Sequence, residues 1–231
     1  MTNKLIVQSI INKYYLGLNE SVKWVIEDST LNIDFMTPTK DVIGSVSCDN
    51  FDLEDCKLAI YDTKKLQNLI SICSGELLLE LTKNNVLNTK LKISDLNFNL
   101  TYALSDPLLI GKVGTVNDAE WVVEVNLETE DVSNLIITTT TNLDNENVVE
   151  FVFGDESGHN NKIAYQMPGV IKEENMNLPF NSDTLKTILQ ANKDMGGGKL
   201  YLSSMGLMKL EFSNEGISSV YFMVRRSESE F

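Results

Sequence analysis

Residues 2–15 place Ile6, Val7, Ile10, Ile11 and Tyr14 at helical spacing, with Lys4, Gln8, Ser9, Asn12 and Lys13 opposite and Leu5 as an exception. That pattern predicts an amphipathic helix. From Ser21 the period drops to two. Val22, Trp24 and Ile26, then Leu31, Ile33 and Phe35, alternate with their neighbours as half-buried strands do. Further strands are expected at 42–48, 51–61, 76–82, 86–93 and 97–104. Between them Asp62 or Thr63 caps a short helix whose apolar stripe is Leu66, Leu69, Ile70 and Cys73.

The second half repeats this order. A strand is expected over 121–127, and Thr129 or Asp131 opens a short helix through Val132, Leu135 and Ile136. A β-branched run at 137–141 follows, with strands at 148–153 and 162–167 around a polar loop at 154–161. Ser182 or Asp183 caps the next helix, which buries Leu185, Ile188 and Leu189 before strands at 199–203, 207–212 and 217–224. An offset of 119 places Tyr61 on Phe180, Leu66 on Leu185, Leu69 on Ile188 and Ile70 on Leu189. A repeat at half the chain length implies two similar domains. The expected division is 1–110 and 111–231, joined near Asp106-Pro107 and the glycines at 111 and 114. The predicted class is α+β, with far more strand than helix.

Composition narrows the function. The hydrophobic share of 42% suits a folded core rather than disorder. No apolar run reaches membrane-spanning length, and Gln8, Asn12 and Lys13 break up a faintly signal-like start, so a cytosolic protein is expected. The three cysteines lack C-x-x-C spacing and suit reduced thiols. A formal charge of -14 excludes a bulk basic nucleic-acid binder, although it does not say where the 19 Lys and Arg sit.

Catalytic chemistry finds little support. His159 is the single histidine and lies in a Gly- and Asn-rich loop, which reads as a solvated turn. Asp155, Glu156 and Asn160 match no calcium-loop spacing. Gly196-Gly197-Gly198-Lys199 lacks the phosphate-loop frame and sits between a helix and a strand, the reverse of a phosphate cradle. It reads as a helix stop and strand entry. No enzyme activity, cofactor or metal is expected.

The run Leu58-Ala59-Ile60-Tyr61-Asp62, with apolar residues at 66, 69 and 70, resembles the sliding clamps of T-even-type bacteriophages. A second likeness runs through Lys199-Leu200-Tyr201-Leu202 and Lys209-Leu210-Glu211-Phe212 to a polar tail ending in Phe231. The resemblance implies a DNA-clamp fold: two similar domains, each with two helices backed by antiparallel sheets. It implies a homotrimeric ring around duplex DNA that tethers the phage DNA polymerase. An ATP-dependent clamp loader would open the ring, and late transcription factors would be further partners. The setting would be the cytoplasm of an infected bacterial host. The competing reading is an acidic two-domain phage structural or protein-interaction protein with no DNA role.

Under the clamp reading, lysines on the polar helix faces become candidates for DNA contact: Lys4, Lys13, Lys64, Lys65, Lys186 and Lys193. Such contacts would be weak and salt-sensitive, as sliding requires. The helix expected near 131–136 would be acidic at its start, through Glu128, Glu130 and Asp131, making DNA contact uneven. For a partner peptide, Leu108, Leu109 and Ile110 in the linker and Met167, Pro168 and Val170 in the second half form candidate apolar linings. The acidic tail at 227–231 is a further candidate contact.

Overall fold

The computed structural model describes residues 2–84, 87–117, 119–128, 141–145, 148–153, 163–172 and 176–225. The chain divides into two compact units, Met1–Gly114 with Glu215–Ser219, and Thr115–Asn214 with Val220–Phe231.

The first unit runs β1 (Thr2–Asn3), α1 (Lys4–Tyr15), β2 (Val22–Glu27), β3 (Thr30–Met36), β4 (Val42–Cys48), β5 (Cys56–Ile60), α2 (Thr63–Ile72), β6 (Glu76–Asn84), β7 (Leu87–Ser94) and β8 (Asn99–Ala103). One sheet has the order β1-β6-β7-β8, and β4-β3-β2-β5 are neighbours in another, with antiparallel pairing throughout. The alternation in β2 and β3 buries Val22, Trp24, Ile26, Leu31, Ile33 and Phe35, as the period of two predicts. Trp24 is fully buried, edge-on to Tyr14 at 6.5 Å and to Phe51 at 5.9 Å. These aromatic contacts tie α1 and the 49–55 loop to the sheet. The strand expected over 51–61 is shorter than its apolar pattern implies, because Phe51 reaches the core from a loop. The helix expected from residue 2 begins at Lys4, since Thr2 and Asn3 pair with Leu77 and Glu76, and the Asn3 side chain caps the helix.

The second unit runs β9 (Val123–Glu128), β10 (Thr141–Asn145), β11 (Val148–Phe153), β12 (Ile163–Pro168), β13 (Val170–Ile171), β14 (Asn177–Leu178), α3 (Ser182–Ala191), β15 (Gly197–Ser203), β16 (Leu207–Asn214) and β17 (Ile217–Val224). Its sheets have the orders β12-β11-β10-β14 and β13-β9-β15-β16-β17. Leu185, Ile188, Leu189, Leu200, Leu202, Leu210, Phe212, Tyr221 and Met223 form much of its core. A fully buried aliphatic side chain contributes about 1.5–3 kcal/mol, so this shared face is what fastens α3 to its sheet. The helix expected near 131–136, the His159 loop and the tail at 227–231 lie outside the described residues.

The glycine run has a packing cause. Gly196 ends a 3₁₀ turn at φ +77°, and Gly197 opens β15 at φ +143°. A Cβ on Gly197 would lie 2.4 Å from the Leu127 carbonyl oxygen, and one on Gly198 2.5 Å from that of Glu211. The run lets β15 enter between β9 and β16.

Candidate nucleic-acid interface

In the first unit α1 and α2 pack side by side, and the start of α1 lies at the end of α2. The Lys4 ammonium donates to the carbonyls of Ser71 (2.8 Å) and Cys73 (2.5 Å). Those groups are the negative end of α2, where a cation is favourable. Farther along, the Gln67 amide donates to Asn12 Oδ1 at 2.8 Å. Lys13 is fully buried, and its ammonium donates to Ser9 Oγ at 2.7 Å.

Two of the six lysines expected to face DNA therefore need correction. Lys13 points into the protein because its position lies on the flank of the buried stripe Val7, Ile10, Ile11 and Tyr14. A long aliphatic stem can occupy such a flank. Lys4 is half-buried and bound to the end of α2. The outward face of α1 shows Leu5, Ile6 and Asn12 and offers no free cation.

Lys64 and Lys65 are exposed in the first turn of α2. The amides at that helix start are already occupied. Thr63 N–H reaches the Glu20 carbonyl (3.0 Å), Lys64 N–H the Glu20 carboxylate (3.2 Å) and Lys65 N–H the Asp62 carboxylate (2.8 Å). The backbone of Asp62 is fixed in turn by Tyr102, whose hydroxyl accepts from its N–H at 3.0 Å and donates to its carbonyl at 3.1 Å. A phosphate cannot displace these caps cheaply, so anion attraction here rests on the two ammonium groups alone.

In the second unit, Asn181 Oδ1 caps α3 by accepting from the N–H groups of Asp183 (3.0 Å) and Thr184 (3.2 Å). The cap lies one residue before the expected Ser182 and two before Asp183. The offset of 119 had implied it, since Asn181 stands on Asp62 and the bounds of α3 stand on those of α2. The two helices share a cap position, length and buried stripe, except that Leu69 is only partly buried where Ile188 is fully so. Their exposed charges differ. Lys64 and Lys65 stand on Asp183 and Thr184, whereas Lys186 stands on Gln67. Lys186 is exposed on α3, and Lys193 is exposed in the 3₁₀ turn Lys193–Met195 just beyond it.

Several other cations are engaged. Lys57 pairs with Glu27 (3.9 Å), Lys83 with Glu54 (2.8 Å) and Lys199 with Glu124 (3.1 Å). Lys209 pairs with Glu211 and sits 5.2–5.9 Å from the ring centres of Trp121, Tyr201 and Phe222. Among the described residues, Lys64, Lys65, Lys186 and Lys193 form no ion pair.

The apolar candidates also separate. Leu108 and Leu109 are 88% and 78% exposed on the 3₁₀ turn Pro107–Leu109, capped by Asp106, and Ile110 is half-buried. In the second unit Pro168 and Val170 are exposed, but Met167 is 1% exposed and belongs to the core. Met167 is therefore removed from the expected lining. Its alternation in β12, paired with Val149 on β11, turns it inward.

Nothing in the described residues suggests reactive chemistry. All three cysteines are free, and burial, with help from nearby carboxylates, pushes the thiols of Cys48 and Cys56 up to about 11. They stay protonated near neutral pH. Among the described residues no group of three or more His, Cys, Asp or Glu could hold a metal ion, and no helix is long and apolar enough to cross a membrane.

No family model and no curated protein matches the sequence. Solved structures do. A. fulgidus PCNA bound to the C-terminal region of FEN-1 matches with a TM-score of 0.79 at 14% identity, covering 99% of this chain and 98% of that one. The chain has the DNA-clamp fold. Proliferating Cellular Nuclear Antigen from Entamoeba histolytica matches with a TM-score of 0.73 at 14% identity, over 98% and 97% of the two chains. A chain of the Sulfolobus tokodaii PCNA2-PCNA3 complex gives 0.75 at 10%, over 97% of each. The expected fold class is thus the observed one, with sequence identity far too low to have announced it.

Proposed function

We propose that this protein is a sliding clamp, a non-enzymatic tether that encloses duplex DNA and holds a replicative polymerase on it. The observation that carries the reading is the likeness to PCNA clamps over 97–99% of both chains. The duplicated helix with its shared cap position supports it, because a chain of two similar units needs three copies to supply six. A homotrimer is therefore proposed, as is the tailed-phage origin that the Leu58–Asp62 and Lys199–Phe212 resemblances suggest. The phage polymerase, an ATP-dependent loader, late transcription factors and the cytoplasm of the infected host complete that proposal.

Lys64, Lys65, Lys186 and Lys193 are the proposed DNA-facing cations. Three copies would carry -42 formally, so a few free ammonium groups among many carboxylates suit a contact that holds DNA without arresting it. For partner segments, Leu108, Leu109 and Ile110 offer an exposed apolar stretch, and Pro168 and Val170 a second. A. fulgidus PCNA holds the C-terminal region of FEN-1, which supports peptide docking as a mode of partner recognition.

Retention on DNA tests the reading. Protein loaded on nicked circular duplex should stay bound at moderate salt and be lost on linearisation. Equal retention on linear and circular DNA would overturn enclosure, and no DNA retention at all would favour the protein-interaction alternative.

A further inference from the structure

The loop between β4 and β5 and the strand β6 border a cavity of about 780 Å³ in the first unit. That volume is within the range of ordinary binding clefts, about 300–1,000 Å³. Phe51 and Leu79 are buried along it, and Leu53 and Leu81 are half-buried. Leu79, Glu80 and Leu81 all line it, although successive residues of a strand point to opposite faces. A cavity that meets three in a row runs along the edge of β6 rather than over one face.

That edge is open. β1 pairs with β6 at Glu76 and Leu77, and no other described strand joins β6 on that side. The opposite edge is taken by β7 from Leu78 to Asn84. Across the cavity the loop directs its amides elsewhere: Asp49 N–H to the Gly216 carbonyl, Phe51 N–H to that of Ser29 and Leu53 N–H to that of Phe51. An open edge presents unpaired N–H and C=O groups and readily pairs with another extended segment.

The rim of this trough is acidic. Asp52, Glu54 and Glu80 are exposed around it, and the loop from Asp49 to Asp55 carries four carboxylates and no cation. From the far end of β6 the Lys83 ammonium meets the Glu54 carboxylate at 2.8 Å. Both side chains are about half exposed, so the pair is weak and exchangeable. The chain itself thus shows how a lysine seats at this rim. Carboxylates alone would mark a solvated surface, but these flank an apolar trough and an unpaired strand edge.

We propose that the groove binds an extended peptide rich in lysine or arginine, which adds a strand to the open edge of β6 and displaces Lys83 from Glu54. Alternation along the added strand turns every second side chain into the trough and leaves the others for the carboxylates. Apolar side chains would therefore alternate with basic ones in the partner. The site lies wholly in the first unit and needs neither DNA nor a ring, so it stands apart from the clamp reading.

Fluorescence anisotropy of a labelled peptide of alternating valine and lysine, titrated with the full chain at low salt, tests it. Saturable binding is expected. Glu54→Gln/Glu80→Gln should weaken it about tenfold. Asp34→Asn/Glu120→Gln removes the same charge from exposed positions elsewhere and should change it less than about twofold. All four side chains are exposed, so unaltered urea midpoints should show both variants folded. Lys83→Gln, which releases Glu54, should tighten binding. N-methylating the valines or, separately, the lysines removes donors from one edge of the peptide at a time, and only one of the two should lose affinity. Equal weakening by both carboxylate pairs would mean attraction to the acidic chain as a whole and overturn the site. Equal effects of the two methylations would overturn strand addition. No binding by the unmodified chain would overturn the proposal and leave the clamp reading, tested on DNA, intact.

Discussion

Lys4 and the Lys64–Lys65 pair should separate stability from DNA binding. Lys4→Ala removes two ammonium–carbonyl bonds at the end of α2. Buried hydrogen bonds to a charged group contribute about 1.5–3 kcal/mol each, but this side chain is half-exposed and water replaces part of the loss. A destabilisation of about 1–2 kcal/mol is expected, with no change in the salt dependence of DNA binding. The double variant Lys64→Gln/Lys65→Gln should do the opposite. Surface changes of this kind usually stay within about 0.5 kcal/mol, and removing cations from a helix start relieves an unfavourable dipole contact. For DNA, each lost phosphate contact lowers the slope of log K against log salt by about 0.9. Two lysines in each of three copies set an upper limit of about 5 on that fall. Urea denaturation and binding to nicked circular duplex between 50 and 200 mM salt, about the range over which such slopes are read, check both halves. Should Lys4→Ala flatten the slope while the double variant leaves it unchanged, the division of labour between α1 and α2 is wrong.

Asn181→Ala should cost about 1 kcal/mol by freeing the amides of Asp183 and Thr184, whereas Asn181→Asp should not, and urea midpoints distinguish them. Gly197→Ala combines a Gly-favouring φ with a clash against a backbone carbonyl, so a loss of about 2–5 kcal/mol is expected from strain and overpacking together. A loss below about 1 kcal/mol would show that β15 can shift away from β9. Asp95 has a depressed folded pKa, so its contribution is present above the unfolded carboxylate value of about 4 and is lost as pH falls through the folded one. Asp95→Asn should flatten the acid limb of stability below about pH 4, and an identical limb in the variant would refute that account.

The strands and the second helix of each repeat were legible because burial follows a simple period. Val22, Trp24 and Ile26 alternate in sequence and are buried in the fold, and the offset of 119 carried the bounds of α2 onto α3. Lys13 was not legible. Its charge places it on a polar face by residue type, while its depth depends on a stem lying along an apolar flank. Lys4 was hidden for a related reason, since nothing local announces that the carbonyls of residues 71 and 73 will meet it. Met167 shows the converse, an apolar residue in an apolar stretch whose inward direction is settled by its register against Val149. Asn181 was recoverable, because the repeat pointed to it and Asn caps a helix as readily as Ser or Asp.

The two helices with matching caps carry unlike exposed residues, and that mismatch has a mechanical consequence. A ring of three copies would repeat its framework six times, with the Lys64–Lys65 pair and the Lys186 and Lys193 pair alternating. A duplex threading it would meet two differently placed pairs of cations in turn around the circumference. Contact with the phosphates would then be uneven around the circle while the protein framework stayed regular.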